Sequence, residues 1–151
     1  MKTNIFLSLL LIAFLSAVNV NATNPNKKVY QNIETTESGS IKEVISFKEN
    51  NTDPEFKTVY YYGLEGELQK KIMYNWSDFK GWISQKKYDY EYNTSGQIAN
   101  LIYTEWDKKL NAWSPKSTQF IHVYDDNGKF FAMKKIESNG EKTYSYFLAG
   151  K

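Results

Sequence analysis

The chain has 151 residues, no cysteine, no arginine and one histidine, and its formal net charge is +2 at pH 7. This near balance of charge argues against a nucleic-acid partner, which requires a basic surface, and the lack of arginine removes the planar fork that binds phosphate or carboxylate. The lack of cysteine excludes disulfides and an acylated-cysteine anchor, and the length indicates a single domain.

The first segment has the features of an export signal. Lys2 supplies a positive charge, residues 5–18 are almost entirely apolar, and the segment ending at Ala22 has small residues where a signal peptidase cleaves. The apolar run is shorter than the ~20 residues that a membrane-spanning helix needs. We therefore predict a signal peptide over 1–22 and a single β-repeat domain over 23–151, without a stable membrane span after leader removal. The expected location is periplasmic, or extracellular and associated with the cell surface.

A glycine turn recurs along the rest of the chain. Each of four glycines is followed two positions later by an apolar residue, and the last three are preceded by a tyrosine and three turn residues; the glycines are Gly39, Gly66, Gly96 and Gly128. Their spacings of 27, 30 and 32 residues predict a hairpin unit copied with changes in loop length. Asp-Asn-Gly and Thr-Ser-Gly sequences supply the positive φ of a bulged hairpin. We predict four hairpin-like repeats.

Between the turns, apolar and polar side chains alternate. The even positions of residues 67–76 are mostly apolar, and the aromatic residues from Trp82 to Tyr92 continue the same phase. Alternation with aromatic enrichment indicates half-buried antiparallel strands, and no segment has a sustained helical period. The fold class is therefore all-β, an antiparallel meander of about nine or ten strands from near Lys28 to near Leu148.

A sheet of this size with one aromatic face has to cover that face. We expect it to be rolled or strongly twisted so that the aromatic side chains pack on one another, or else to be covered by a partner. The opposite phase becomes apolar only in the C-terminal half. Either that half is covered on both sides, or it carries an exposed apolar patch that contacts another protein or forms a homo-oligomer. The members of this C-terminal apolar face are Leu101, Tyr103, Trp113, Ile121, Val123, Phe131, Met133 and Phe147.

Two turns have the sequences YNTSGQI, over residues 92–98, and YDDNGKF, over residues 124–130. They resemble the tyrosine-aspartate hairpin repeats of secreted bacterial shell and wall-associated proteins, although Tyr62 and Tyr92 are followed by Gly63 and Asn93 instead of aspartate. Over nearly its full length, the chain resembles small exported proteins of unknown function from gut Bacteroidetes. This resemblance implies a periplasmic or secreted location and a β-meander fold, and it transfers no activity.

The residues that carry most enzyme and metal chemistry are scarce. His122 lies among aromatic residues and is interpreted as a packing residue, and without a second histidine or a cysteine a zinc site is excluded. Residues 125–128 offer oxygens for calcium but lack the spacing of a calcium-binding loop, so we interpret them as a turn.

Carboxylates that could hydrolyse glycosides lie on the polar phase, where a solvated surface explains them; they are Glu67, Asp89, Glu91 and Glu105. We predict a protein that is not an enzyme and that binds no cofactor and no metal.

Four tryptophans flank two central loops, at residues 77–81 and 107–112. Aromatic rings beside polar loops are where sugar rings or peptide side chains stack, although tryptophans in register also form the packing layer of a repeat. The predicted ligand-binding residues are Trp76, Trp82, Trp106 and Trp113. The sequence thus favours an uncharacterised exported binding module for a glycan or protein at the cell envelope. The alternative is a structural or self-assembling envelope protein joined through sheet edges or an apolar face.

Overall fold

The computed structural model describes residues 28–49, 53–138 and 142–148, the last of these by the backbone alone. The described residues form nine strands: β1 (Val29–Thr36), β2 (Gly39–Phe47), β3 (Pro54–Tyr62), β4 (Leu68–Ser77), β5 (Gly81–Tyr92), β6 (Ile98–Asp107), β7 (Ala112–Tyr124), β8 (Phe130–Ser138) and β9 (Lys142–Leu148). They make one sheet in chain order, and every neighbouring pair is antiparallel. The all-β meander prediction is confirmed, whereas the predicted signal peptide lies outside the described residues.

The sheet is a single open layer. β1 and β9 lie at its two edges, and the described strands make extensive contact only with their sequence neighbours. No large side chain of the described residues is fully enclosed. The side chains with the least exposure belong to Val59, Asn100, Thr104 and Ala132. The expected rolling of the sheet onto its own aromatic residues is therefore not found. Within the same ranges, no helix is long and apolar enough to cross a membrane.

The cross-strand register assigns each side chain to one of two faces, because residues opposite each other in a ladder share a face. One face, here called the Trp face, carries Val59, Ile72, Tyr74, Trp76, Trp82, Asn100, Ile102, Thr104, Trp106, Trp113, Ile121 and Ala132. The other, here called the Tyr face, carries Tyr60, Tyr62, Tyr88, Tyr90, Tyr92, Leu101, Tyr103, Phe120, His122 and Tyr124. Aromatic residues therefore occupy both faces.

A bulge in β5 separates the two aromatic sets. The alternation predicts that Trp82 and Tyr88 share a face, and this prediction is wrong. Two successive residues of β4 pair with residues of β5 that are two positions apart, so that Gln85 is an extra residue in β5. Because one extra residue moves every later side chain to the opposite face, Trp82 lies on the Trp face and Tyr88 on the Tyr face.

The predicted C-terminal apolar face is not one surface. The connections between strands differ in length, so odd-numbered residues of one strand can oppose even-numbered residues of the next. The register divides the predicted set, with Leu101, Tyr103 and Met133 on the Tyr face and Trp113, Ile121 and Val123 on the Trp face. Phe147 lies in β9, where side chains are outside the described part of the chain.

Three of the four glycine turns share one hydrogen-bond pattern. In each, the residue directly after the tyrosine donates its N–H to the carbonyl of the residue four positions later, at 2.9 Å. The turn glycine donates its N–H to the carbonyl of that same residue after the tyrosine, at 2.9–3.1 Å. These glycines are Gly66, Gly96 and Gly128, with φ of 85°, 76° and 76°. Gly39 instead ends a two-residue turn, in register with Thr36. The repeat geometry therefore holds for three turns, and a count of four is not confirmed.

The repeated tyrosine connects each of two turns to the turn before it. Tyr92 Oη donates to the Leu68 carbonyl at 2.9 Å, and Tyr124 Oη donates to the Ile98 carbonyl at 2.8 Å. Both carbonyls belong to the apolar residue two positions after a turn glycine, which explains why tyrosine, glycine and apolar residue recur together. These turns lie at one end of the sheet, the Gly end; the β4–β5 and β6–β7 turns lie at the opposite end, the Trp end.

Replacing Gly96 and Gly39 by alanine is expected to distinguish the cost of a positive φ from the cost of a steric clash with the backbone. A Cβ at Gly96 meets no atom within 4 Å, so only the positive φ of 76° is penalised, and G96A is predicted to lower the free energy of unfolding by about 1–2 kcal/mol. At Gly39 the Cβ would overlap the backbone carbonyl oxygen of Tyr62, so G39A is predicted to cost clearly more. Urea unfolding measures both losses, and equal losses would contradict the close approach at Gly39.

Candidate functional site

The structure brings the four predicted tryptophans together in two pairs on the Trp face at the Trp end. Trp76 and Trp82 oppose each other across the β4–β5 hairpin, with ring centroids 5.0 Å apart and an edge-to-face angle of 72°. Trp106 and Trp113 repeat this arrangement across β6–β7, at 5.1 Å and 88°. Edge-to-face contact is a favourable aromatic geometry, so each pair also stabilises its own hairpin.

The turn sequences explain why the tryptophans oppose each other. Gly81 has φ of 71° and Asn111 has φ of 50°, and these left-handed residues bring each chain back just before its second tryptophan. The Asp107 Oδ1 atom accepts the N–H groups of Lys109 and Leu110 at 2.8 and 3.0 Å, which closes the β6–β7 turn. The register shift between the Trp106–Trp113 pair and the rest of the β6–β7 ladder lies near Pro115, a residue found in strands mainly at edges and bulges.

A lysine covers one ring of the first pair. The Lys57 ammonium lies 4.9 Å from the Trp82 ring centroid and 5.0 Å from that of Tyr74. Its charge is balanced by Glu43, whose carboxylate is 3.4 Å away. Lysine over an aromatic face is an attractive cation–π contact.

A lysine also covers one ring of the second tryptophan pair. Lys87 lies 5.5 Å from the Trp113 ring centroid, and its ammonium is 3.2 Å from the carboxylate of Asp89. Among the described residues, no lysine covers Trp76 or Trp106. The two tryptophan pairs therefore combine four half-buried indoles with two covering lysines that are each paired with a carboxylate, and no lysine of the described residues covers the other two rings.

The acidic residues considered for glycoside hydrolysis are each engaged elsewhere. Asp89 pairs with Lys87, and Glu91 accepts a hydrogen bond from Asn100 Nδ2 at 2.9 Å. Glu67 lies at the Gly end, where it accepts a hydrogen bond from Gln69 at 2.8 Å. The structure therefore spreads these carboxylates over two faces and both ends of the sheet.

His122 and Asp125 lie in structural surroundings, although the buried His122 Nδ1 atom has no hydrogen-bond partner among the described residues. The His122 ring packs 5.8 Å from that of Phe130 on the Tyr face. Asp125 Oδ1 accepts the N–H groups of Asn127 and Lys129 at 3.0 and 2.9 Å, as a turn residue does. Within the described residues, no group of three or more acidic, histidine or cysteine side chains is arranged to hold a metal ion.

The sequence did not predict a polar groove that lies on the Tyr face. It has a volume of about 330 Å³ and lies over β6, β7 and β8; its lining on this face is Tyr103, Glu105, Ser114, Lys116, Thr118 and Glu137. Ser117 also borders the groove, although the register assigns its side chain to the Trp face. The Tyr103 hydroxyl donates a short hydrogen bond to the Glu105 carboxylate. Partial burial first, and then Glu105, raise the pKa of Tyr103 well above its usual range. Alternation alone could not reveal this groove, because its residues come from three strands whose register was unknown.

Comparison with known proteins supports the fold and gives no activity. No protein-family model and no curated protein matches the chain. A Bacteroides fragilis protein of unknown function has a similar structure, with a TM-score of 0.52 and 18% identity over 85% of this chain and 96% of that one. A DUF3836 family protein from Parabacteroides distasonis gives 0.46 and 16%, over 62% and 90%. The chain is thus similar in fold to the Bacteroides fragilis protein of unknown function.

Removing the lysine that covers Trp113 is expected to lower the stability of the folded chain. K87Q deletes the cation–π contact and the ion pair with Asp89, so we predict a loss of about 1 kcal/mol in the free energy of unfolding. The matched control is K86Q, because Lys86 is exposed on the Tyr face one position earlier. Urea unfolding followed by tryptophan fluorescence measures both variants, and an equal loss in K86Q would contradict the assigned contact.

Stability is expected to fall at alkaline pH. Burial raises the pKa of Tyr60, Tyr74, Tyr90, Tyr92 and Tyr103 above 10.0 in the folded chain. A phenol with a raised folded-state pKa binds its proton more tightly when folded, so its contribution is complete below pH 10 and is lost as the pH rises through the folded pKa.

The urea midpoint is therefore predicted to decline from pH 10 upward, and less steeply in Y103F than in the unaltered chain. Unfolding curves between pH 8 and 11.5 measure this decline. An identical decline in Y103F would show that Tyr103 does not contribute.

Proposed function

We propose that the chain is an exported, non-catalytic binding module that holds a glycan on the Trp face of its sheet, at the cell envelope. The observation that carries this proposal is the gathering of four half-buried tryptophans on one face at one end of an open sheet. Trp76 and Trp106 are the stacking residues, because no lysine of the described part covers their rings.

The chemistry of this surface suits a neutral sugar. A sugar ring presents apolar C–H groups to an indole face and hydroxyl groups to neighbouring polar side chains. Lys87, which lies against Trp113, and its ion-pair partner Asp89 offer a donor and an acceptor on the same face. The Asp89 carboxylate also lies 3.8 Å from the Lys70 ammonium, so the two lysines of this cluster share one carboxylate and neither is left without one.

The openness of the sheet supports a binding role for its faces. An extended ligand can lie along an open layer without displacing another part of the described chain, since no second layer of that part covers either face. The same observation also favours the second candidate, a structural protein that assembles through an uncovered face. In that case copies of the chain would occupy the surface assigned here to a glycan.

Fluorescence titration tests the glycan proposal, because all four tryptophans of the chain lie at the site. We expect at least one of laminarin, xylan, mannan, glycogen and soluble peptidoglycan fragments to change the emission saturably. The double variant W76F/W106F is predicted to weaken that binding at least tenfold, whereas Y90F, on the Tyr face, leaves it unchanged.

Two results would contradict the proposal. One is the lack of a saturable response to every glycan at millimolar concentration. The other is equal weakening by Y90F. A stable oligomer in which both variants disturb assembly would instead favour the structural candidate.

A further inference from the structure

Two apolar side chains project from the tips of the turns at the Trp end. Phe79, in the β4–β5 turn, is 99% exposed, and Leu110, in the β6–β7 turn, is 63% exposed. A fully exposed phenylalanine contributes little to the stability of the fold, because none of its apolar surface is removed from water. The fold therefore leaves Phe79 without a packing role and leaves most of the Leu110 side chain in water.

The sheet presents the two tips side by side. The β4–β5 and β6–β7 hairpins are neighbours because β5 pairs with β6. Two strand spacings separate the tips by about 10 Å across the sheet. The β6–β7 tip is held by the hydrogen bonds that Asp107 accepts, and Lys80 N–H donates to the Ser77 carbonyl at 3.3 Å in the β4–β5 tip. Both apolar side chains are thus mounted on closed turns.

Lysines surround the apolar tips. Lys80 follows Phe79, and Lys108 and Lys109 precede Leu110; all three are exposed, and none forms an ion pair with a described carboxylate.

The two acidic residues of these tips accept hydrogen bonds from nearby residues of the same turn or strand. Asp78 accepts from Trp76 Nε1 at 3.1 Å, and Asp107 accepts two backbone N–H groups. The tips therefore combine apolar ends with a surplus of positive charge.

This combination matches the interface of an anionic lipid bilayer. Apolar side chains enter the boundary between headgroups and acyl chains, lysines contact anionic headgroups, and tryptophans favour the headgroup level. We propose that the Trp end docks on an anionic membrane surface, with Phe79 and Leu110 inserted and the three lysines against the headgroups. A bilayer fits better than a protein groove, because it accepts two separate tips without a complementary pocket.

This docking goes beyond glycan binding and does not depend on it. The glycan is assigned to the Trp face, whereas the lipid contact is assigned to the tips beyond that face. A module that docks by its tips would hold its sheet upright on the membrane. Its Trp face would then remain available to an extended ligand.

Vesicle binding of the exported form tests the docking. The exported form is chosen because the apolar run at residues 5–18 could itself bind lipid, and mass spectrometry would define its first residue. The vesicles contain phosphatidylethanolamine and phosphatidylglycerol at three to one, and phosphatidylcholine vesicles are the neutral comparison. Sedimentation measures affinity, and brominated acyl chains report by quenching whether the tryptophans approach the bilayer.

We expect saturable binding to the anionic vesicles, at least tenfold weaker binding to the neutral ones, and quenching by brominated lipid. F79S/L110S is predicted to weaken binding at least tenfold, and K80Q/K108Q/K109Q to do the same with less dependence on salt. The matched control is L64S, because Leu64 is 79% exposed at a turn tip of the Gly end. It should bind like the unaltered chain.

Failure of the docking is distinguishable from failure of the glycan site. No binding of the unaltered chain at millimolar lipid, or equal losses in L64S and F79S/L110S, would overturn the membrane proposal. If vesicles do not bind and F79S/L110S weakens a glycan response, the tips belong to the glycan site and the membrane proposal is also overturned. Intact glycan binding in F79S/L110S leaves the proposed function standing in either case.

Discussion

A β-sheet without a second layer has to stabilise its side chains through neighbours on the same face. In layered folds a large aromatic residue is enclosed by side chains from another element, and here no large side chain of the described residues is fully enclosed. Cross-strand contacts replace that enclosure: two tryptophan pairs on the Trp face, and on the Tyr face Tyr88, which lies 5.2 Å from Tyr103 and 4.3 Å below the Lys71 ammonium. The abundance of tyrosine, tryptophan and lysine follows from this requirement.

The same constraint connects the fold to the proposed functions. Side chains that stabilise the sheet by lying flat against their neighbours remain partly exposed, so the stabilising surface is also a surface for ligands. Trp82 and Trp113 mainly stabilise the sheet, since lysines cover their rings. Trp76 and Trp106 also stabilise the sheet, but no lysine of the described residues covers their rings, which leaves a ring face for a ligand. The turns also differ between the ends, with hydrogen-bonded tyrosines at the Gly end and exposed apolar residues flanked by exposed lysines at the Trp end.

The sequence predicts local structure well where one residue determines the geometry. The glycine turns, the strand alternation and the opposition of Trp76 to Trp82 each follow from a few neighbouring residues, and the structure contains all three. Which residues share a face across the sheet could not be predicted in this way. A single extra residue, Gln85, reverses the face of the rest of β5, and nothing in its identity distinguishes it from an ordinary strand residue. The polar groove at Tyr103 was missed for the same reason, since its members meet only in the correct register.

Accessibility of neighbouring residues on opposite faces tests the single-layer sheet most directly. Ser117 and Thr118 are consecutive in β7, lie on the Trp face and the Tyr face respectively, and are both half-buried. Because the chain has no cysteine, S117C and T118C each introduce one thiol whose rate of alkylation can be measured in the folded protein. An open single layer predicts alkylation rates of the same order for both thiols. Protection of one thiol by a hundredfold or more, relieved only by unfolding, would show that a second layer covers that face and would contradict the account.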